Sequence, residues 1–177
     1  MVTAFIGRFQ PFHRGHKHVV EQHSDDEIVL VLGSAGKSRT DNNPLNVEER
    51  KNIIHECFPK IEIYAVEDNE SDKKWMNEII EKTEADKIVS GNEVVLDIFR
   101  KMSNLETVEA DMHDPEIYSA TEVRRRINGG EEWSYLVPEC SRKRIKDLME
   151  TIKKSGTQYE FEPGWKKENA YHGTADK

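Results

Sequence analysis

The chain has 177 residues, enough for one domain with a sizeable core. Charged side chains are 34% and apolar ones 36%, and 34 acidic against 26 basic residues leave a formal charge of −8, which argues against a general nucleic-acid binder, where a basic surplus is the rule. No apolar run approaches the ~18 residues of a membrane span and no leader precedes the first strand, so neither a membrane nor a secretory signal is expected and the cytoplasm is the expected compartment.

Residues 2–6 form a short apolar run that reads as a first β-strand. A glycine-flanked turn follows, and then a weakly apolar helix expected over residues 15–23. Residues 27–32 give a second strand, continuous in apolar character as in strands buried on both faces. Val47, Ile53, Ile54, Cys57 and Phe58 stripe the next helix. Residues 61–66 read as a third strand; Trp75, Met76, Ile79 and Ile80 stripe the helix after it. Residues 87–90 are a fourth strand, followed by a helix carrying Val94, Val95, Ile98, Phe99 and Met102, and residues 107–110 a fifth. A helical segment over 118–128 ends at Gly129-Gly130. A last helix starts near Pro138, with Ile145, Leu148, Met149 and Ile152 at i, i+3, i+4 and i+7. Beyond residue 154 the periodicity stops, so 1–154 reads as the domain and 155–177 as a polar tail whose Tyr159, Phe161 and Trp165 are candidates for docking. The alternation of strand and helix predicts a parallel sheet with helices on both faces, and ligands outside the carboxyl ends of its strands. Cys57 and Cys140 make neither a metal motif nor a disulfide framework, and are expected to be reduced thiols.

The densest chemistry lies between residues 7 and 16, Gly-Arg-Phe-Gln-Pro-Phe-His-Arg-Gly-His. It joins the first strand to the first helix and so sits at a helix N-terminus, where exposed N–H groups and the helix dipole favour an anion. His13 and His16 add ring nitrogens there. Gly15 keeps the approach clear, Gly7 permits a tight turn, and Arg8 offers a planar fork for phosphate oxygens. The segment reads as a grip on a nucleoside triphosphate. Zinc held by His13, His16 and His18 is the weaker reading, because no Cys or carboxylate has a helpful spacing.

A second helix start, Tyr118-Ser119-Ala120-Thr121-Glu122-Val123-Arg124, has Ser119 as an N-cap and Glu122 placed to complete a capping box. Capping accounts for those two residues but not for three successive arginines, so Ser119, Thr121 and Arg124 are expected to contact phosphate, with Arg125 and Arg126 pointing elsewhere. The loop from Gly33 to Thr40 lacks the spacing of a Walker A motif, although a small-residue loop there, Ser34 included, can pass close to a ligand. Trp75 either packs in the core or stacks on an aromatic ring, and Asp72 one turn before it can accept from an amide. Gly91 and Asn92 follow the fourth strand on the same edge.

Together these segments are similar to a known family. The first resembles the HxGH motif and the second the Ser-x-Thr-x-x-Arg signature of nucleotidyltransferases. The ordered set Gly33-Ser34-Ala35, Lys37-Ser38, Asn43-Pro44-Leu45, Glu49-Arg50, Ser90-Gly91-Asn92, Tyr118-Ser119 and Leu136-Val137-Pro138 resembles the archaeal-type nicotinamide-nucleotide adenylyltransferases. The likeness covers roughly residues 1–152. It implies a Rossmann-like, doubly wound, five-stranded parallel sheet with a C-terminal helical extension. It also implies adenylyl transfer from ATP to nicotinamide mononucleotide (NMN), giving NAD and pyrophosphate. By the same resemblance His13, His16 and Arg124 are catalytic; Gly7, Arg8, Phe9, Gly15, Ser119, Thr121, Gly91 and Asn92 bind ATP; and Ser34, Asp72 and Trp75 face NMN. Magnesium is the implied cofactor, carried by the ATP phosphates rather than by protein ligands, and a homo-oligomer, a hexamer as is typical of the archaeal type, is the implied assembly. Other acceptors on the same fold (FMN, phosphopantetheine, an alcohol phosphate) and a non-catalytic nucleotide sensor are the competing readings. The chain departs from the family pattern at Asp72, where many archaeal relatives have Asn, at Glu48 for Gly and at Glu93 for Pro.

Overall fold

The computed structural model describes residues 1–154; the tail expected over 155–177, with Tyr159, Phe161 and Trp165, lies outside them. Five strands, β1 (Val2–Gly7), β2 (Glu27–Leu32), β3 (Glu62–Ala65), β4 (Lys87–Ser90) and β5 (Glu106–Glu109), form one sheet in the order β3-β2-β1-β4-β5, and every pairing is parallel. Between them run α1 (Arg14–Gln22), α2 (Val47–Cys57), α3 (Asp72–Thr83) and α4 (Glu93–Met102), followed by α5 (Ala120–Gly129), a short 3-10 turn over Ser134–Leu136, and α6 (Glu139–Lys154).

The pleat of the central strands divides the core in two. Phe5, Leu30, Leu32 and Val89 point to one face, where Val19 and Val20 of α1, Ile53 and Ile54 of α2, Val123 of α5 and Ile145 of α6 cover them. Ala4, Ile6, Val29, Val31 and Ile88 point to the other, against Trp75, Met76 and Ile79 of α3 and Leu96, Ile98 and Phe99 of α4. Each such Ile, Leu or Phe stabilises the fold by roughly 1.5–3 kcal/mol on burial. Burial on both faces is why these strands read as unbroken apolar runs. The chain leaves β1 for β2 on one side and reaches β4 on the other, so the strand order reverses at β1; in sheets of this kind ligands bind at such a switch point, outside the carboxyl ends of the strands.

The cysteine expectation is corrected. Cys57 ends α2, Cys140 lies in the first turn of α6, their Cα atoms are 5.3 Å apart, and they form a disulfide across 83 residues. The pairing follows from α2 packing beside α6, a tertiary fact that spacing along the chain does not carry. Arg144 of α6 adds an ion pair to Glu56 of α2. Glu122 also differs from expectation. Ser119 Oγ caps α5 by accepting the Glu122 N–H at 3.1 Å, but the Glu122 carboxylate turns to Arg125 and Arg126 instead of returning to the cap. Those two guanidiniums, Arg125 first, hold its pKa down at about 2.

Candidate active site

His13 is the N-cap of α1, and the two histidines cap the helix reciprocally. His13 Nδ1 accepts the Gly15 N–H at 3.1 Å, and His16 Nδ1 accepts the His13 N–H at 3.1 Å. This is a capping box built from imidazoles, and it starts the helix one residue earlier than the sequence predicts. Because each Nδ1 is an acceptor, each neutral ring carries its hydrogen on Nε2. The rings stack 3.6 Å apart and are buried, at 0% and 1% exposure. Burial pushes the His16 pKa down to about 3, so the ring is neutral at physiological pH.

Aromatic side chains fix the pair from behind. Phe12 stacks on His16 at 5.5 Å, and Phe9 meets it edge-on at 4.7 Å. The Phe9 ring, expected among the nucleotide contacts, is wholly buried in the core and backs the imidazole. Its φ of 54° marks the sharp turn that follows Gly7, and a Cβ on Gly7 would lie 3.2 Å from the Phe9 ring. A Cβ on Gly15 would fall 2.8 Å from the Met112 carbonyl and 2.9 Å from His13 Cε1, so glycine is required there.

The second signature reaches the first directly. Arg124 of α5 donates from Nη1 to the Gln10 carbonyl at 2.8 Å and from Nη2 to Thr121 Oγ1 at 3.3 Å. Arg124 thereby joins the loop that holds the histidines, with Thr121 on the same guanidinium, while Ser119 caps α5. Arg8 Nη1 lies within 3.4 Å of the Asn42 carbonyl and Asn43 Oδ1, which tethers it to the loop after β2. Ser34, at φ 50°, donates to both oxygens of Asp68 at 3.1 and 3.3 Å. Asn92 caps α4, accepting from the Val94 N–H at 3.0 Å, while its own N–H donates to Ser90 Oγ, which in turn donates to the Ile6 carbonyl. Gly91 lies in that turn. Asp72 and Trp75 occupy the first turn of α3 on the opposite face of the sheet from the histidines' helix.

Two residues that sequence reasoning left without a role organise this edge. Gln10 pairs with Leu45 through both ends of its side-chain amide, at 2.8 and 2.9 Å. Arg50, fully buried, donates to the carbonyls of Arg8 (3.0 Å), Gly33 (2.8 Å), Ser34 (3.4 Å) and Asn46 (3.3 Å), and so locks the loops after β1 and β2 to α2. Burial lowers its pKa to about 10, with Asp68 and Glu49 opposing the fall. Its signal was present: Arg50 lies three and four residues before Ile53 and Ile54, on the inward stripe of α2, where a charge needs a reason. Among the described residues no three His, Cys, Asp or Glu side chains converge as a metal cage.

A parallel sheet whose switch point holds an imidazole-capped helix start, bonded to an arginine from a second helix start, defines a nucleotidyltransferase. Residues 4–126 match the cytidylyltransferase-like family, and the chain belongs to it, on the branch of the nicotinamide-nucleotide adenylyltransferases. It is 33% identical over 156 residues to the enzyme of that name from Methanosarcina acetivorans, an alignment covering 84% of this chain and 90% of the relative. It is 36% identical over 141 residues to that from Methanolobus tindarius, covering 76% and 81%. In fold it is similar to a bifunctional NMN adenylyltransferase/ADP ribose pyrophosphatase from Francisella tularensis, solved with AMP and a manganese ion, with a TM-score of 0.68 and 21% identity. That match covers 86% of this chain and 49% of the other, so the chain spans about half of the bifunctional protein. No helix among the described residues is long and apolar enough to cross a membrane.

Proposed function

We propose that this chain transfers the adenylyl group of ATP to NMN, forming NAD and pyrophosphate. The observation that carries the reading is the hydrogen bond from Arg124 to the Gln10 carbonyl, which brings the cationic second signature to the loop presenting His13 and His16. An oxygen of the NMN phosphate attacks the α-phosphorus in line. The bond from that phosphorus to the bridging oxygen breaks, and pyrophosphate leaves with the electron pair. The attacking phosphate is already anionic, so the protein's work is positioning and charge stabilisation. His16, neutral with its hydrogen on Nε2, acts in this scheme as a hydrogen-bond donor to phosphate oxygen and not as a proton source. Arg124 and Arg8 hold the flanking phosphates, and His13 shares the donor role. Magnesium carried on the ATP phosphates, whose oxygens are the ligands that ion prefers, would neutralise charge on the leaving pyrophosphate.

The reading predicts NAD, identified by mass, from ATP, Mg²⁺ and NMN, with pyrophosphate released in equal amount. Absence of NAD at high enzyme concentration overturns it. Oligomeric assembly, hexameric in the archaeal type that the sequence resembles, belongs to the same reading and is read by light scattering.

A further inference from the structure

The disulfide ties together the two segments that brace the candidate site from outside. Cys57 is the last residue of α2, about two turns beyond Arg50, whose guanidinium holds the carbonyls of Arg8, Gly33 and Ser34. Cys140 follows the 3-10 turn, whose Tyr135 carbonyl accepts from Arg14 Nε at 2.7 Å, and Arg14 is the residue next to His13. The neighbouring ion pair from Arg144 to Glu56 has both partners exposed and adds little to this junction. The bond can also be reached by thiols. Cys140 is exposed and Cys57 half-buried. Each lines an open groove, Cys140 with Asn52 and Thr151, Cys57 with Val20, Phe58 and Ile61. Exposed disulfides are the labile and regulatory ones, whereas those with a purely structural task resist reduction. In the first turn of α6, the N–H groups of the helix start favour a Cys140 thiolate, which makes this sulfur the better leaving group.

We infer that the Cys57–Cys140 bond is a reversible redox control on the nucleotide site. This rests on the reaction proposed above and adds how that site is regulated. With the bond formed, α2 is fixed at its far end and Arg50 holds the loops after β1 and β2 in register with the histidines. With it reduced, that anchor loosens and turnover falls. Ile53 and Ile54 of α2 and Ile145 of α6 stay buried in one core in either state, so the reduced chain keeps its fold. The chemistry is exchange with a dithiol. One thiolate of the dithiol attacks Cys57 Sγ, the S–S bond breaks, and Cys140 leaves with its electron pair. The second thiolate of the dithiol then displaces Cys57 and closes the reductant into its own disulfide. Two electrons pass to the protein, and the two protons of the dithiol end on the two cysteines.

The test equilibrates the full chain in stepped ratios of reduced to oxidised dithiothreitol, well below the melting midpoint. Alkylation and intact mass count the thiols, circular dichroism follows the fold, and initial rates follow NAD. Hydrogen exchange follows the loops over residues 8–13 and 33–46. The bond is expected to open without denaturant and with the circular dichroism unchanged. The rate should fall about fivefold or more on reduction, because loosened loops misplace the reacting groups, and return in full on reoxidation. Exchange in both loops should quicken in the reduced state. The double variant Cys57→Ser/Cys140→Ser is expected to show the low rate at every ratio. Four results overturn the inference: free thiols that persist in oxidised dithiothreitol, a bond that opens only in denaturant, reduction that unfolds the chain at the assay temperature, or a rate that ignores the state of the bond. That last result, with NAD formed equally in both states, leaves the proposed reaction standing. No NAD in either state, with loop exchange that still follows the bond reversibly, removes the reaction and leaves the redox coupling in place.

Discussion

The Nδ1 of His16 accepts the backbone N–H of His13 at 3.1 Å while His13 Nδ1 accepts the Gly15 N–H, so the pair proposed to meet phosphate is also the cap that begins its helix. One nitrogen of each ring is spent on geometry, and the other is thereby fixed as the donor. Loss of either histidine should then affect two properties at once, and the two can be measured apart.

For His16→Asn, turnover is expected to fall by ~10²–10³, the usual cost of one donor aimed at developing charge, while ATP affinity changes by less than about tenfold. Single-turnover rates set against equilibrium ATP binding check this. An equal loss in both would mean that the ring binds the ground state only.

The same ring gives stability a pH dependence. The His16 pKa is about 3 in the fold and 6.5 unfolded, so the unfolded chain binds the extra proton between those values. This contribution is fully present above pH 6.5 and drains away as pH falls toward 3, at up to about 1.4 kcal/mol per pH unit. Thermal midpoints recorded from pH 7 to pH 4 should drop more steeply for wild type than for His16→Asn, which does not titrate there.

Gly15→Ala sets two effects against each other. Alanine favours a helix over glycine by about 1 kcal/mol. Its Cβ would also sit 2.8 Å from the Met112 carbonyl, a backbone atom with little room to move, and overpacking of that kind costs about 1–3 kcal/mol. The clash wins in this balance: the variant is expected to melt lower than wild type and to lose activity, because His13 is the other atom group in the way. Denaturation curves and initial rates decide it.

Arg50→Lys keeps a charge but cannot serve four carbonyls. Each carbonyl left unsatisfied in the core costs about 1–3 kcal/mol, so the midpoint should fall by several degrees. The loops after β1 and β2 lose their common anchor, which predicts a lower kcat with a smaller change in KM.

The disulfide closes a loop of 83 residues, for which the chain-entropy argument gives a stabilisation of about 4–5 kcal/mol at most. Reduction, or Cys57→Ser, is expected to lower the melting midpoint by ~10 °C. Intact mass before and after alkylation reports whether the bond is present.

Much of this was legible along the chain. The five strands appear within a residue or two of their observed limits and each helix was visible by its apolar stripe, α3 only through residues 75–80 of its observed 72–83, because strands buried on both faces and amphipathic helices leave distinct periodicities. The His13–His16 turn and the Ser119–Arg124 helix start were visible because each is local, a few residues at fixed spacing. What escaped was contact between distant segments. Arg50 reaching three loop carbonyls, Gln10 bridging to Leu45, and Cys57 meeting Cys140 depend on how α2 and α6 lie against the sheet. Glu122 was misplaced for a related reason: two arginines offered its carboxylate more than the cap did.

The bond between Arg124 and the Gln10 carbonyl spans 114 residues, and all five strands precede Arg124 in the chain. A polypeptide emerging from the ribosome therefore has all five strands of the described sheet in hand while the contact proposed to grip nucleotide is still unmade. Only when the segment around residue 124 has cleared the exit tunnel can the early turn find its arginine, so competence to bind ATP should lag behind formation of the sheet during synthesis.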